Sequence, residues 1–230
     1  MRRLTRALLF DLDGTLADTA PDLAAAINRV RADRDLPALP LSELRPHVSS
    51  GARGMIRAAF GLGPQDEGYA PLAEAFLAHY ARALCVHTRL FDGMAELLER
   101  LDAAGIAWGI VTNKQSRFTD PLVEALGLHR RARCVISGDS APRPKPAPDP
   151  LLLACQRATV DPRDGLYVGD DERDVIAGKA AGMGTVAVTY GYLGVDVPIE
   201  RWGADTIIDH PGELVGLAGI ERSVRDTMGT

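Results

Sequence analysis

The segment at residues 7–16, which reads Ala-Leu-Leu-Phe-Asp-Leu-Asp-Gly-Thr-Leu, constrains the fold of this chain more than any other segment. It begins with an unbroken apolar run, which is typical of a strand buried on both faces of a parallel sheet. Asp11 and Asp13 follow on a turn that Gly14 opens. Because ligands bind at the carboxyl ends of strands in open α/β sheets, both carboxylates are candidate functional residues. An acidic turn is common by itself, so its meaning depends on the other strands.

The rest of the chain shows two patterns. Residues 17–86 carry helical periodicity and turn signals without a strand, and Thr19 and Asp22 have the spacing of a capping box at the first helix. From residue 87 onward, apolar runs alternate with helical segments, which predicts βαβ units. The predicted fold class is α/β, a doubly wound, Rossmann-like parallel sheet core formed by residues 1–16 and 87–230. A helical cap domain is inserted at residues 17–86.

Composition excludes several classes of partner. The net charge of −5 argues against nucleic acid or an anionic membrane surface as the principal partner. The apolar run after the basic N-terminus is too short for a secretory signal, and no later segment has the length of a membrane span. We therefore expect a cytoplasmic protein.

Four predicted strands end in polar residues that would meet at one edge of the sheet. These residues are Asp11 and Asp13, then Thr112 and Asn113, then Lys145 in the following loop, and finally Asp170 and Asp174. An N-cap or a solvated lysine would explain any one of them, but not their joint placement. Several carboxylates at one edge require a cation, and a set without His or Cys favours Mg²⁺. The cation and Lys145 would together offset the charge of a phosphate.

These motifs, in this order, resemble those of the haloacid dehalogenase-like phosphohydrolase superfamily. The resemblance implies that Asp11 is the nucleophile, forms an aspartyl-phosphate and binds Mg²⁺. It implies that Asp13 acts as general acid and then base, with its backbone carbonyl on the metal. Thr112 would hold the phosphoryl group, and Asn113 beside it is a further candidate for substrate binding.

The resemblance also assigns the later motifs. Lys145 would hold the phosphoryl group, and Asp170 would bind the metal with Asp174 beside it. Many relatives have Ser or Thr where this chain has Asp171. That departure leaves open whether Asp171 or Asp174 lies nearer to the metal.

Further similarity points to one branch of the superfamily. Residues 50–55, 91–94, 108–114, 190–192 and 202–205 resemble the phosphoglycolate phosphatases, and in particular the N-acetylmuramic acid 6-phosphate phosphatases. Both substrates combine a phosphomonoester with a carboxylate, so the resemblance implies a small carboxylate-bearing organic phosphate. The cap would recognise the leaving group of this substrate. Arg53 is a candidate partner for the carboxylate, although a surface helix position explains it equally well. We expect a monomer or a homodimer.

Two alternatives stay open at this point. A sugar-phosphate mutase would keep both carboxylates and would differ mainly in its cap and in the exclusion of water. A phospho-accepting signalling receiver also combines acidic residues, Thr, Lys and Mg²⁺. Its phosphoacceptor, however, follows an internal strand and no helical insertion follows its first strand, so the motif order disfavours it.

Overall fold

The computed structural model describes residues 5–194 and 197–220. Its strands, in chain order, are β1 (Ala7–Phe10), β2 (Ala17–Asp18), β3 (Arg89–Leu90), β4 (Ala107–Val111), β5 (Val135–Ile136), β6 (Gly165–Gly169), β7 (Gly184–Val188) and β8 (Thr206–Ile208). Its helices are α1 (Ala20–Ala32), α2 (Leu41–Leu44), α3 (Gly51–Phe60), α4 (Tyr69–Ala81), α5 (Met94–Ala103), α6 (Ser116–Ala125), α7 (Asp149–Ala158), α8 (Glu172–Ala181) and α9 (Leu214–Leu217).

Six of these strands form one sheet in the order β5-β4-β1-β6-β7-β8, and every neighbouring pair in it is parallel. Side chains of β1 are buried on both of its faces. Leu8 and Phe10 join a core cluster with α5 and α6, whereas Leu9 joins a second cluster with α7 and α8. This alternation follows from the two-residue period of a strand. The doubly wound α/β fold predicted from the sequence is confirmed.

Helices α1 to α4, together with a 3₁₀ segment at Arg45–Ser50, form what we call the helical insert (residues 20–81). Their apolar sides pack into a separate cluster that also includes Phe118 and Tyr192 from the sheet-containing part. The insert therefore has its own core and touches the rest of the molecule. The domain boundaries at residues 16/17 and 86/87 stay predictions.

Two short strands that the sequence did not reveal connect the two parts. β2 leaves the sheet region and β3 returns to it, and they pair antiparallel with Ala17 opposite Leu90. Strands of two residues are too short to show a period in the sequence.

The predicted capping box at Thr19 and Asp22 is wrong. Thr19 makes no side-chain cap bond, because its hydroxyl donates to Asp13 Oδ1 at 2.5 Å. Asp22 is buried and accepts hydrogen bonds from the backbone N–H groups of Val86, His87 and Thr88 and from the Thr88 hydroxyl. It thereby fixes the chain that returns from the helical insert onto α1.

No helix of the described ranges, 5–194 and 197–220, is both long and apolar enough to cross a membrane. The cytoplasmic location and the monomeric or homodimeric state stay predictions.

We expect Asp22→Ala to lower the free energy of unfolding by about 2–4 kcal/mol, because several buried donors lose their acceptor. Urea unfolding followed by circular dichroism measures the change. The matched control is Asp120→Ala on α6, where the side chain is exposed. Equal effects of the two substitutions would contradict the anchoring role of Asp22.

Candidate active site

Adjacent strands place the candidate residues at one edge of the sheet. Asp11 follows β1, Thr112 follows β4 and Asp170 follows β6, and these three strands are neighbours in the order β4-β1-β6. Because the strands are parallel, their carboxyl ends open on the same side. The structure thus brings together residues that are far apart in the sequence.

Three carboxylates form the centre of this edge. Asp11, Asp170 and Asp174 each place an oxygen within 4.8 Å of the others, and Asp170 and Asp174 are buried. Asp170 is held by the Thr15 hydroxyl at 3.0 Å and by other donors. Gly14 has a φ of +88°, and a Cβ there would lie 2.1 Å from Asp170 Oδ2. The glycine of the acidic turn is therefore required by this close approach.

A buried lysine lies among these carboxylates. Lys145 Nζ donates hydrogen bonds to Asp174 Oδ1 at 2.7 Å, to the Tyr167 hydroxyl at 2.8 Å and to the Val111 carbonyl at 3.1 Å. Its distance to Asp11 Oδ1 is 2.9 Å. At this distance the Lys145 ammonium and the Asp11 carboxylate form an ion pair. Asp11 Oδ1 is left buried without a hydrogen-bond partner among the described residues.

The electrostatics of the cluster fit a bound cation. Burial raises the pKa of Asp11 to about 7; Lys145 opposes the rise, and the charges of Asp174 and Asp13 add to it. Burial, together with the charges of Asp11 and Asp174, also raises the pKa of Asp170 well above its usual range. A divalent cation would offset these carboxylate charges, and a donor set of oxygens alone suits a hard ion. The three aspartates could therefore hold a metal.

The structure shows which of Asp171 and Asp174 lies with the carboxylate cluster, a question that the sequence left open. Asp171 caps α8 and pairs with Arg173, with Nε to Oδ1 at 2.7 Å. Asp174 joins the cluster instead and bonds Lys145. Asp174 is thus the aspartate placed to act with Asp170.

Asp13 lies beside the cluster with its carboxylate turned to other partners. Its Oδ1 accepts hydrogen bonds from Lys114 Nζ at 2.6 Å and from the Thr19 hydroxyl. Asp13 and Asp11 both line the same cavity. The side chain of Asp13 therefore lies where it could contact a bound molecule. The metal contact predicted for Asp13 involves its backbone carbonyl and not this side chain.

The remaining predicted residues have different positions. Thr112 is buried and lines the cavity. The amide of Asn113 bonds the backbone of Lys145 in both directions at 2.9 Å, so that its side chain holds the lysine loop. Arg53 is exposed on α3 and is not among the residues that line the cavity. The structure does not bring it together with the others, and the binding roles of these residues stay predictions.

A cavity of about 330 Å³ separates the sheet edge from the helical insert. The insert contributes mainly apolar and aromatic walls, which include Leu23, Val48, Phe76 and Tyr80. Burial raises the pKa of Tyr80 to about 12, against the effect of the nearby Lys114 charge, so its hydroxyl stays neutral. A mostly apolar cavity with convergent polar groups at one end is typical of a small-molecule site.

Sequence analysis missed three residues that shape this site. Lys114 follows the Thr112 motif directly, and a basic residue near a strand end is a signal that could have found it. Thr15 is part of the acidic turn and bonds Asp170. The Tyr192 hydroxyl accepts hydrogen bonds from the backbone N–H groups that begin α1, and no sequence pattern indicates that contact.

The Rossmann-like sheet, with carboxylates and a buried lysine at its carboxyl edge, defines an α/β enzyme. The sequence model of the haloacid dehalogenase-like hydrolase family matches residues 8–188 of this chain. The chain belongs to the haloacid dehalogenase-like hydrolase family.

Individual relatives agree with this membership. The chain is 46% identical to an N-acetylmuramic acid 6-phosphate phosphatase of Pseudomonas putida, over 91% of this chain and 94% of that protein. It is 44% identical to a phosphoglycolate phosphatase of Xanthomonas campestris, over 92% and 96% of the two chains. A crystal structure from Haemophilus somnus, described as a predicted phosphoglycolate phosphatase, superposes with a TM-score of 0.81 at 30% identity, covering 92% and 97%.

The raised pKa of Asp11 predicts how the metal-free protein responds to pH. Between about pH 4 and pH 7 the unfolded chain has released this proton and the folded chain still holds it. Raising the pH over this window therefore lowers the free energy of unfolding. Urea unfolding in EDTA at several pH values measures this slope. Asp11→Asn, which removes the titrating group, is expected to weaken it, and an identical slope in both proteins would contradict the assignment.

Proposed function

We propose that this chain is a Mg²⁺-dependent phosphomonoester hydrolase that acts through an aspartyl-phosphate on Asp11. The observation that carries the proposal is a buried oxygen of Asp11 that has no hydrogen-bond partner among the described residues and lies 2.9 Å from Lys145 Nζ. A carboxylate oxygen without a donor is available as a nucleophile, and the adjacent ammonium attracts a phosphate.

In the first step, the Asp11 oxygen attacks phosphorus and the bond from phosphorus to the ester oxygen breaks. Asp13 gives its proton to the departing alkoxide. Lys145 and Thr112 hold the phosphoryl oxygens, which supplies positioning and charge stabilisation. Bound Mg²⁺, held by Asp11, Asp170, Asp174 and the Asp13 carbonyl, would neutralise charge on the phosphoryl group.

In the second step, water replaces the leaving group. Asp13, now a carboxylate, takes a proton from water as the water oxygen attacks phosphorus. The bond between phosphorus and Asp11 breaks, phosphate leaves, and both aspartates return to their starting states. The helical insert acts as a cap that limits access of bulk water to this chemistry.

The substrate that we propose is a small carboxylate-bearing organic phosphate. N-acetylmuramic acid 6-phosphate and 2-phosphoglycolate are the candidates, because curated relatives at 44–46% identity are named as phosphatases for these compounds. The same names favour hydrolysis over a sugar-phosphate mutase. The cavity of about 330 Å³ has the size of a small-molecule site.

A panel of both candidate substrates and phosphoglucose isomers tests the proposal. We expect wild-type protein with Mg²⁺ to release inorganic phosphate, EDTA to abolish the release, and Mg²⁺ to restore it. Asp11→Asn is expected to lower turnover at least about 10³-fold, because it removes the nucleophile. Asp120→Asn, at an exposed position, serves as the matched control. Intact turnover in Asp11→Asn, or interconverted sugar phosphate with little free phosphate, would contradict the proposal.

A further inference from the structure

Lys114 connects the helical insert with Asp13. Its ammonium lies 2.6 Å from Asp13 Oδ1 on one side and 4.9 Å from the centroid of the Tyr80 ring on the other. Asp13 belongs to the turn after β1, whereas Tyr80 belongs to α4 of the insert. The Lys114 side chain is only 9% exposed. A single buried cation thus contacts both sides of the cavity.

The two donors on Asp13 converge on one oxygen. Lys114 and Thr19 both donate to Oδ1, and Oδ2 accepts no hydrogen bond from the residues that the structure describes. These two donors therefore fix the orientation of the Asp13 side chain through Oδ1.

The contact with Tyr80 involves its ring. The Tyr80 ring lies 4.9 Å from the ammonium at its centroid and packs on Phe118. Attraction between a cation and an aromatic face strengthens where water is excluded. The position of the ring in α4 thereby helps to determine the position of Lys114.

We propose that Lys114 is a positioning residue, held by the Tyr80 ring of the helical insert, that orients Asp13 for proton transfer to the leaving group. This inference rests on the proposed function and adds to it a link between the insert and the acid–base step. Small displacements of a catalytic group cost large factors in rate. Loss of the link is therefore expected to slow proton transfer more than phosphoryl binding.

Two substrates of similar size separate these steps. Benzyl phosphate expels a basic alkoxide that needs a proton, whereas 4-nitrophenyl phosphate expels a stable anion that does not. We expect Lys114→Met to lower the ratio of kcat/KM for benzyl phosphate to kcat/KM for 4-nitrophenyl phosphate by about tenfold or more, because kcat/KM contains only the steps up to loss of the leaving group. The value of kcat/KM for 4-nitrophenyl phosphate is itself expected to change by less than about threefold, because its leaving group needs no proton and Lys145 and Thr112 remain in place.

Variants of Tyr80 test the role of the ring. Tyr80→Leu removes the ring and is expected to shift the ratio of kcat/KM in the same direction as Lys114→Met. Tyr80→Phe keeps the ring and is expected to leave the ratio within about twofold of wild type, because the contact between the ring and the ammonium remains. The double variant of Lys114→Met and Tyr80→Leu is expected to be no worse than Lys114→Met alone. Lys179→Met on α8, an exposed lysine, is the matched control.

The outcomes are distinguishable. If Lys114→Met lowers kcat/KM for both substrates by the same factor, or Tyr80→Leu leaves the ratio of kcat/KM at its wild-type value, the positioning role is overturned. Thermal unfolding of each variant shows whether it is folded. If Tyr80→Leu is not folded, Tyr80→Met, which also removes the ring, takes its place with the same expected shift. If wild-type protein releases no phosphate from any ester, the proposed function fails and this inference fails with it.

Discussion

The contact between the Lys145 ammonium and the carboxylates around it is the interaction on which the site depends. Burying several carboxylates together is unfavourable, and the cation placed among them offsets part of that cost. The Lys145 ammonium bonds Asp174, Tyr167 and the Val111 carbonyl, and it also lies 2.9 Å from Asp11 Oδ1, which it attracts. The arrangement leaves a buried oxygen of Asp11 available for chemistry.

The fold provides this arrangement through three adjacent parallel strands and one loop. β4, β1 and β6 end side by side, and Gly14 lets the first turn approach Asp170 closely. The Asn113 amide then holds the backbone of Lys145 against the sheet. A second connection, through Asp22, fixes the segment that returns from the helical insert. These contacts hold the site residues in place, and the helical insert forms the remaining walls of the cavity.

Much of this could be predicted from the sequence, because strand ends in a parallel sheet share one edge. The local pattern of apolar runs and loops is enough to locate four of the site residues, which are Asp11, Thr112, Lys145 and Asp170. Contacts that depend on tertiary structure could not be predicted. Thr19 bonds Asp13 instead of capping α1, Tyr192 contacts the start of α1 from far along the chain, and Arg53 is not among the residues that line the cavity. Each requires knowledge of how the insert sits on the sheet.

The central claim is that Asp11 becomes phosphorylated, and trapping the phosphoryl group tests it most directly. In Asp13→Asn, 4-nitrophenyl phosphate can still transfer its phosphoryl group because its leaving group needs no proton, but water lacks the base that completes hydrolysis. The account predicts a burst of one nitrophenol per protein and, after acid quenching, a phosphoryl group on the Asp11 peptide by mass spectrometry. An unmodified chain, or a phosphoryl group on another residue, would contradict it.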